Sequence, residues 1–398
     1  MARGARLHPL ARAPLIDRIN GWLDSAWRKG VLPRPPLDPE ALWRCAYRGL
    51  RSGSETGGRL EEDAADFRLR LEVLTQALVT EARLNPLGEA IAHGQLVRVL
   101  RQRLRLGRLW ERNPHLARTP LTPPILVIGQ MRAGTTRIHR LLAADPAHSA
   151  TRFCDSWNPV PEMPDLRAMR SACMLLGARR IDPWIDSIHP FGAGRADEEL
   201  GWLASALNHC AYEAQWHVPS FTRFSEQRDP APVYREFARI LATDAARHGN
   251  ARRPRVMKVP QFAEDLPSLL AQFPNARAVV THRAARDVAR SAVSLVANQM
   301  TIQSDAVEMG WIEQEWQRKI ALREERAEAG LANFRGPLAR VDFHAFELDW
   351  EMAMASIYRR LDLDLSDRAI SAMHREQRRA GTSPHKRHAE DMRAFQSA

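Results

Sequence analysis

Apolar residues recur at three- and four-residue intervals through the first third of the chain. Within residues 61–84, Phe67, Leu71, Leu74 and Leu78 fall on one face of a helix, and a second amphipathic segment covers 87–109. Pro33, Pro35, Pro36 and Pro39 punctuate an early linker, and Pro120, Pro123 and Pro124 close the region. Residues 1–118 therefore predict a helical N-terminal region. The pattern then changes. Ile125-Leu126-Val127-Ile128 is a short, continuously apolar run, as expected of a strand buried on both faces. A glycine-containing loop and a helical stretch over 138–144 follow it. Residues 255–257 and 276–280 have the same strand-like character, with helical stretches predicted over 264–273 and 287–300. Strands alternating with helices predict an α/β domain over 119–398, a mainly parallel sheet flanked by helices. Its ligand belongs at the carboxyl ends of the strands.

The strongest local signal is Gly129-Gln130-Met131-Arg132-Ala133-Gly134-Thr135-Thr136, which follows the first apolar strand and opens a helix. Backbone N–H groups at such a turn point toward an anion, and the helix dipole adds partial positive charge. The glycine spacing is that of the P-loop frame GxxxxGK[ST]. Thr135, however, stands where the lysine belongs, and the cation of the loop, Arg132, lies upstream. A P-loop nucleotide kinase or NTPase needs that lysine on the β- and γ-phosphates. This loop is suited to hold a phosphate and poorly equipped to transfer one. A second anion site is suggested where Thr281-His282-Arg283 ends a later strand. Ser291, eight residues on, falls in the early turns of the next helix, so a guanidinium fork and a hydroxyl can share one phosphate.

These elements, with Val256-Met257-Lys258-Val259-Pro260 and Phe273-Pro274-Asn275-Ala276 between them, resemble the PAPS-dependent sulfotransferase family, particularly its bacterial branch and the related tyrosylprotein sulfotransferases (PAPS is 3′-phosphoadenosine 5′-phosphosulfate). The family loop typically reads PRSGTT, so Met131 and Ala133 depart from it. Val259 replaces the serine of the LKSP element, and Ala284-Ala285 replaces the usual Asp-Pro. The resemblance implies in-line transfer of a sulfuryl group from PAPS to a hydroxyl or amine of a small-molecule, lipid or glycan acceptor, leaving PAP (3′,5′-adenosine bisphosphate). It implies that Arg132, Ala133, Gly134, Thr135 and Thr136 grip the 5′-phosphosulfate, and that Arg283 and Ser291 hold the 3′-phosphate. Lys258 would steady the leaving group. The basic stretch 381–388, with His385 and Lys386, would cover the nucleotide. The candidate bases are Asp155 first, in Phe153-Cys154-Asp155-Ser156-Trp157, then Glu198 in the acidic motif Ala196-Asp197-Glu198-Glu199-Leu200, then His189.

Charge adds a competing reading. The formal net charge is +11, which invites anionic partners, so a non-catalytic anion-binding module is the other alternative to a sulfotransferase. Nucleic acid is not the expected partner, and peripheral membrane contact through the basic N-terminus is. No run of eighteen apolar residues exists, and Cys45, Cys154, Cys173 and Cys210 are dispersed without a CxxC pair. Together these point to a reduced, cytoplasmic protein without a transmembrane segment. No metal-ligand cluster is evident, and none is expected. Trp202, Trp216, Trp311 and Trp316 read as core rather than as an acceptor pocket.

Overall fold

The computed structural model describes residues 8, 10–50 and 53–381; His385 and Lys386 lie outside the described residues. Five strands, β1 (Ile125–Ile128), β2 (Ser149–Ala150), β3 (Arg255–Met257), β4 (Arg277–His282) and β5 (Leu338–Asp342), form one parallel sheet in the order β2-β3-β1-β4-β5. Leu126 of the central strand pairs with Met257 on one side and Ala278 on the other. Every residue of β1 is buried, which is why that strand has no polar position. Two strands were not foreseen. β2 has only two residues, too few to show a period. β5 does alternate, with Ala339 and Val341 inward and Arg340 and Asp342 exposed, as an edge strand should.

The two faces of the sheet carry separate apolar layers. Leu126, Ile128, Met257 and Val280 pack with Trp202, Phe237 and Phe262 on one side. Ile125, Val127, Val256 and Val279 pack with Ile138, Leu142, Phe346 and Tyr358 on the other. Parallel strands need crossovers that return over a face, and the helices that cover both layers supply them.

Helices Pro14–Arg28, Pro39–Tyr47, Glu61–Thr80 and Pro86–Arg112 precede the sheet. The last two begin where the apolar spacing predicts them. The former stops at Thr80, and Arg83 beyond it adopts a left-handed φ of 46° before Asn85 restarts the chain by capping the Gly88 amide at 2.8 Å. Their apolar faces do not form a core of their own. Leu71, Leu74, Leu96 and Leu100 share one cluster with Leu207, Tyr212, Trp216 and Phe221, and Trp110 donates its indole N–H to Thr243 at 2.9 Å. Hydrophobic packing thus runs continuously across residue 118. Trp202, Trp216 and Trp316 are core residues, while Trp311 is partly buried against the His217 ring. Among the described residues, no helix is long and apolar enough to cross a membrane.

Candidate active site

Three adjacent strands, β3, β1 and β4, end on the same edge of the sheet, and each delivers a cation there. The loop after β1 is shaped by two close approaches. A side chain at Gly129 would place its Cβ 2.2 Å from the Thr281 hydroxyl of β4. Gly134 has φ +81°, and a Cβ there would lie 1.9 Å from the Phe343 ring. Between them Arg132 also adopts a left-handed φ of 68°, a conformation that costs a non-glycine residue about 1–3 kcal/mol. The turn closes through the Ala133 amide on the Gln130 carbonyl at 3.1 Å, and helix Thr135–Ala144 starts with no side-chain cap. Its first amides are left facing the loop, as an anion requires. Ala133 is buried on an apolar floor with Val288 and Ile320, so its methyl group serves packing.

The cations converge through direct contacts. Arg132 donates Nε to Ser291 Oγ at 2.7 Å and Nη1 to the Ile188 carbonyl at 2.8 Å. Arg283 donates Nη1 to the Arg132 carbonyl at 2.8 Å and lies 5.2 Å from the Phe343 ring centre. Burial, and then the charge of Arg283, lower the Arg132 guanidinium to about 10, which leaves it cationic at neutral pH. Lys258, the residue after β3, is buried. It donates Nζ to Thr136 Oγ1 at 3.1 Å and pairs with the Glu198 carboxylate. One chain of contacts therefore links Lys258 to Thr136 and Glu198, and another links Arg283, Arg132 and Ser291.

His189 meets Asp197 Oδ1 at 3.0 Å, and the same oxygen accepts the Glu198 amide at 2.8 Å. Burial alone would raise the Asp197 carboxyl, but His189 and Arg140 outweigh it and hold Asp197 well below the usual carboxylate range. His189 thus orients the segment that presents Glu198.

Asp155, the other candidate carboxylate, lies in a cluster of cations. Its carboxylate is buried and takes Arg152 Nε at 2.5 Å and Arg152 Nη2 at 3.0 Å, with Arg167 at 3.1 Å and His248 at 3.4 Å. Burial opposes ionisation, yet the bonds from His248 and Arg152 and the charge of Arg167 hold it well below the usual range. A carboxylate so saturated is a weak proton acceptor. Asp155 ties helix Phe153–Trp157 to helices Arg167–Ile181 and Ala231–His248.

Three further residues shape the site without having been singled out. Glu199 is fully buried, accepts the Lys258 amide at 2.9 Å, and is pushed by burial up to about 8. Its position in the acidic triplet was a usable signal. His139 is wholly buried; desolvation first, then the Lys258 charge, lower it to about 3, so it is neutral. Phe343 had no signal, because it depends on the unforeseen β5. Groups of acidic and histidine side chains close enough to hold a metal do occur. His189, Asp197 and Glu198 form one and His209, Glu213 and Glu264 another. Each already embraces a protein cation, Lys258 in the first and Lys319 with Arg323 in the second.

A parallel sheet whose central strand runs into a glycine-framed anion loop, with cations supplied from the strands on either side, defines a P-loop-like α/β fold. The sulfotransferase family profile matches residues 123–367, more than half of the chain, and the chain belongs to that family. The structure is similar to the sulfotransferase STF1 from Mycobacterium tuberculosis H37Rv, with 25% identity and a TM-score of 0.77, covering 92% of this chain and 100% of that one. It also shares its fold with the sulfotransferase STF9 from Mycobacterium avium, at 18% identity and a TM-score of 0.73 over 84% of this chain and 86% of that one. No curated protein matches the sequence significantly.

Proposed function

We propose that this sulfotransferase uses PAPS as donor and passes its sulfuryl group to a hydroxyl or amine. One observation carries the reading: Arg132 and Arg283, from loops that follow neighbouring strands, meet through the Arg132 carbonyl, with Ser291 on the Arg132 guanidinium. Two guanidinium groups, a hydroxyl and uncapped helix amides form a donor set suited to a nucleotide with phosphates at two ends. The Thr281 hydroxyl beside Gly129 is also buried with no hydrogen-bond partner among the described residues.

Bound PAPS supplies the sulfuryl group and a leaving group phosphorylated at both ends of its ribose. The amides of Thr135 and Thr136 and the Arg132 side chain face the 5′ end, and Arg283 with Ser291 faces the 3′-phosphate. Lys258, held by Glu199 through its amide and aimed at Thr136 through its ammonium, places a compact positive charge where negative charge develops on the leaving oxygen. Glu198 sits at that same ammonium and accepts the acceptor proton. The His189–Asp197 pair keeps the Glu198 backbone in place.

Calorimetric titration tests the donor. PAP should bind the wild-type chain far more tightly than adenosine 5′-monophosphate does, and labelled PAPS should yield a labelled acceptor in a cell extract. Tight binding of magnesium–ATP with no response to PAP would replace this reading with a nucleotide kinase.

A further inference from the structure

Helix Arg167–Ile181 is inside out. A surface helix ordinarily turns its apolar stripe to the protein and its charges to water. Here the inward stripe is Arg167, Ser171 and Leu175, two of them polar. Arg167 is consumed by Asp155, Asp165 and the Asn158 carbonyl, and Ser171 accepts from Asn158. The outward stripe is Leu166, Met169, Cys173 and Leu176, spaced three and four residues apart and ending at the exposed Arg180. Met169 is 57% and Leu176 63% exposed, with Met163 and Met174 exposed beside them. A contiguous exposed apolar stripe on a helix whose inward face is polar marks a surface that meets something apolar.

We propose that this helix docks on an anionic lipid bilayer. Charge selects that occupant: the helix has four arginines and no acidic residue of its own. Although Arg167, Arg170 and Arg179 pair with carboxylates from flanking segments, the apolar stripe lies between two exposed arginines outside those pairs. Arg180 at one end forms no ion pair among the described residues, and the exposed Arg247 touches the Met163 sulfur at the other. Apolar side chains entering the acyl boundary between arginines at headgroup level are how interfacial helices bind. A second copy of the chain fits less well. Symmetric pairing would leave Arg180 and Arg247 without an anionic partner, and a stripe of four side chains is small beside the ~800 Å² per partner of a stable dimer.

The patch is coupled to the catalytic edge. Asp182, next after the helix, accepts from Asn298 at 2.6 Å on the helix that carries Ser291. Ile188, a few residues on, gives its carbonyl to Arg132. Resting on the sulfuryl-transfer reading, the acceptor would then be a hydroxyl carried on a lipid headgroup. Docking itself stands apart from that reading, because its test involves no turnover.

The full chain is sedimented with large vesicles of phosphatidylcholine alone and of phosphatidylcholine with phosphatidylglycerol, in ~0.15 M salt so that weak surface attraction is screened. The comparison proteins are a Met169→Ser, Leu176→Ser double variant and a control, Val79→Ser, at an exposed apolar position outside the patch. Circular dichroism confirms that both remain folded. The wild type and the control should bind the anionic vesicles and leave the neutral ones, and the double variant should bind at least tenfold more weakly. Equal binding by the double variant, or a wild type that stays in the supernatant, would overturn the proposal. So would a wild-type dimer in light scattering that the double substitution dissociates, which would make this face an interface between copies.

Discussion

Glu199→Gln tests the device that holds Lys258 in place. In the wild type, the buried carboxyl accepts the Lys258 amide, and among the described residues no cation forms an ion pair with it. Burial raises it from the ordinary 4.5 to about 8. Between those two values the folded chain holds a proton that the unfolded chain has released, so wild-type stability falls as pH rises through the window. Glutamine keeps the accepting oxygen and removes the titration. At about 1.4 kcal/mol per pH unit, a window this wide corresponds to at most roughly 5 kcal/mol. Local relaxation and water entry bring the realised figure to about 2–3 kcal/mol. Urea unfolding of both proteins at pH 5, 6, 7, 8 and 9 measures the difference, in which groups common to both cancel. The variant should match the wild type near pH 5 and exceed it by about 2–3 kcal/mol at pH 9, with an unchanged urea slope. A difference that stays flat with pH, or a variant weaker at every pH, would refute the buried neutral acid.

Arg283→Ala should weaken PAP by about 30-fold or more, the scale of a lost charged hydrogen bond, and adenosine 5′-monophosphate by less than about threefold on the same reasoning; equal losses in calorimetry would contradict the 3′-phosphate role. Asp155→Asn leaves Arg152 and Arg167 less compensated and should cost about 2–4 kcal/mol in urea unfolding, while transfer per folded molecule stays close to wild type. A lost rate at full stability would return Asp155 to the chemistry. Glu198→Gln should lower turnover about 100-fold or more, the usual worth of a positioned base, with PAP affinity retained. Unchanged turnover would place the base elsewhere.

Local order along the chain was enough to read much of this protein. The continuous apolar run of β1, the glycine frame behind it, Lys258 after β3 and the Arg283–Ser291 spacing each follow from neighbours within a few residues. Their sequence order identified a phosphate-binding parallel fold and the family. What local order could not determine was which polar groups end up facing one another. Asp155 and Glu198 are both carboxylates in short acidic or aromatic contexts. Only packing sends Arg152, Arg167 and His248 to the first and Lys258 to the second, and so gives the two carboxylates different surroundings. Gly134 looked like one glycine of a loop motif until β5 brought Phe343 against it. The same holds for helix Arg167–Ile181. Its composition is unremarkable, and the polar partners that claim its inner face come from segments before it and from Asp155, leaving its apolar residues outside. Periodicity reports how a segment can divide into two faces. Which face turns inward is a free-energy comparison between all the groups competing for the interior, and that comparison exists only once the chain has folded.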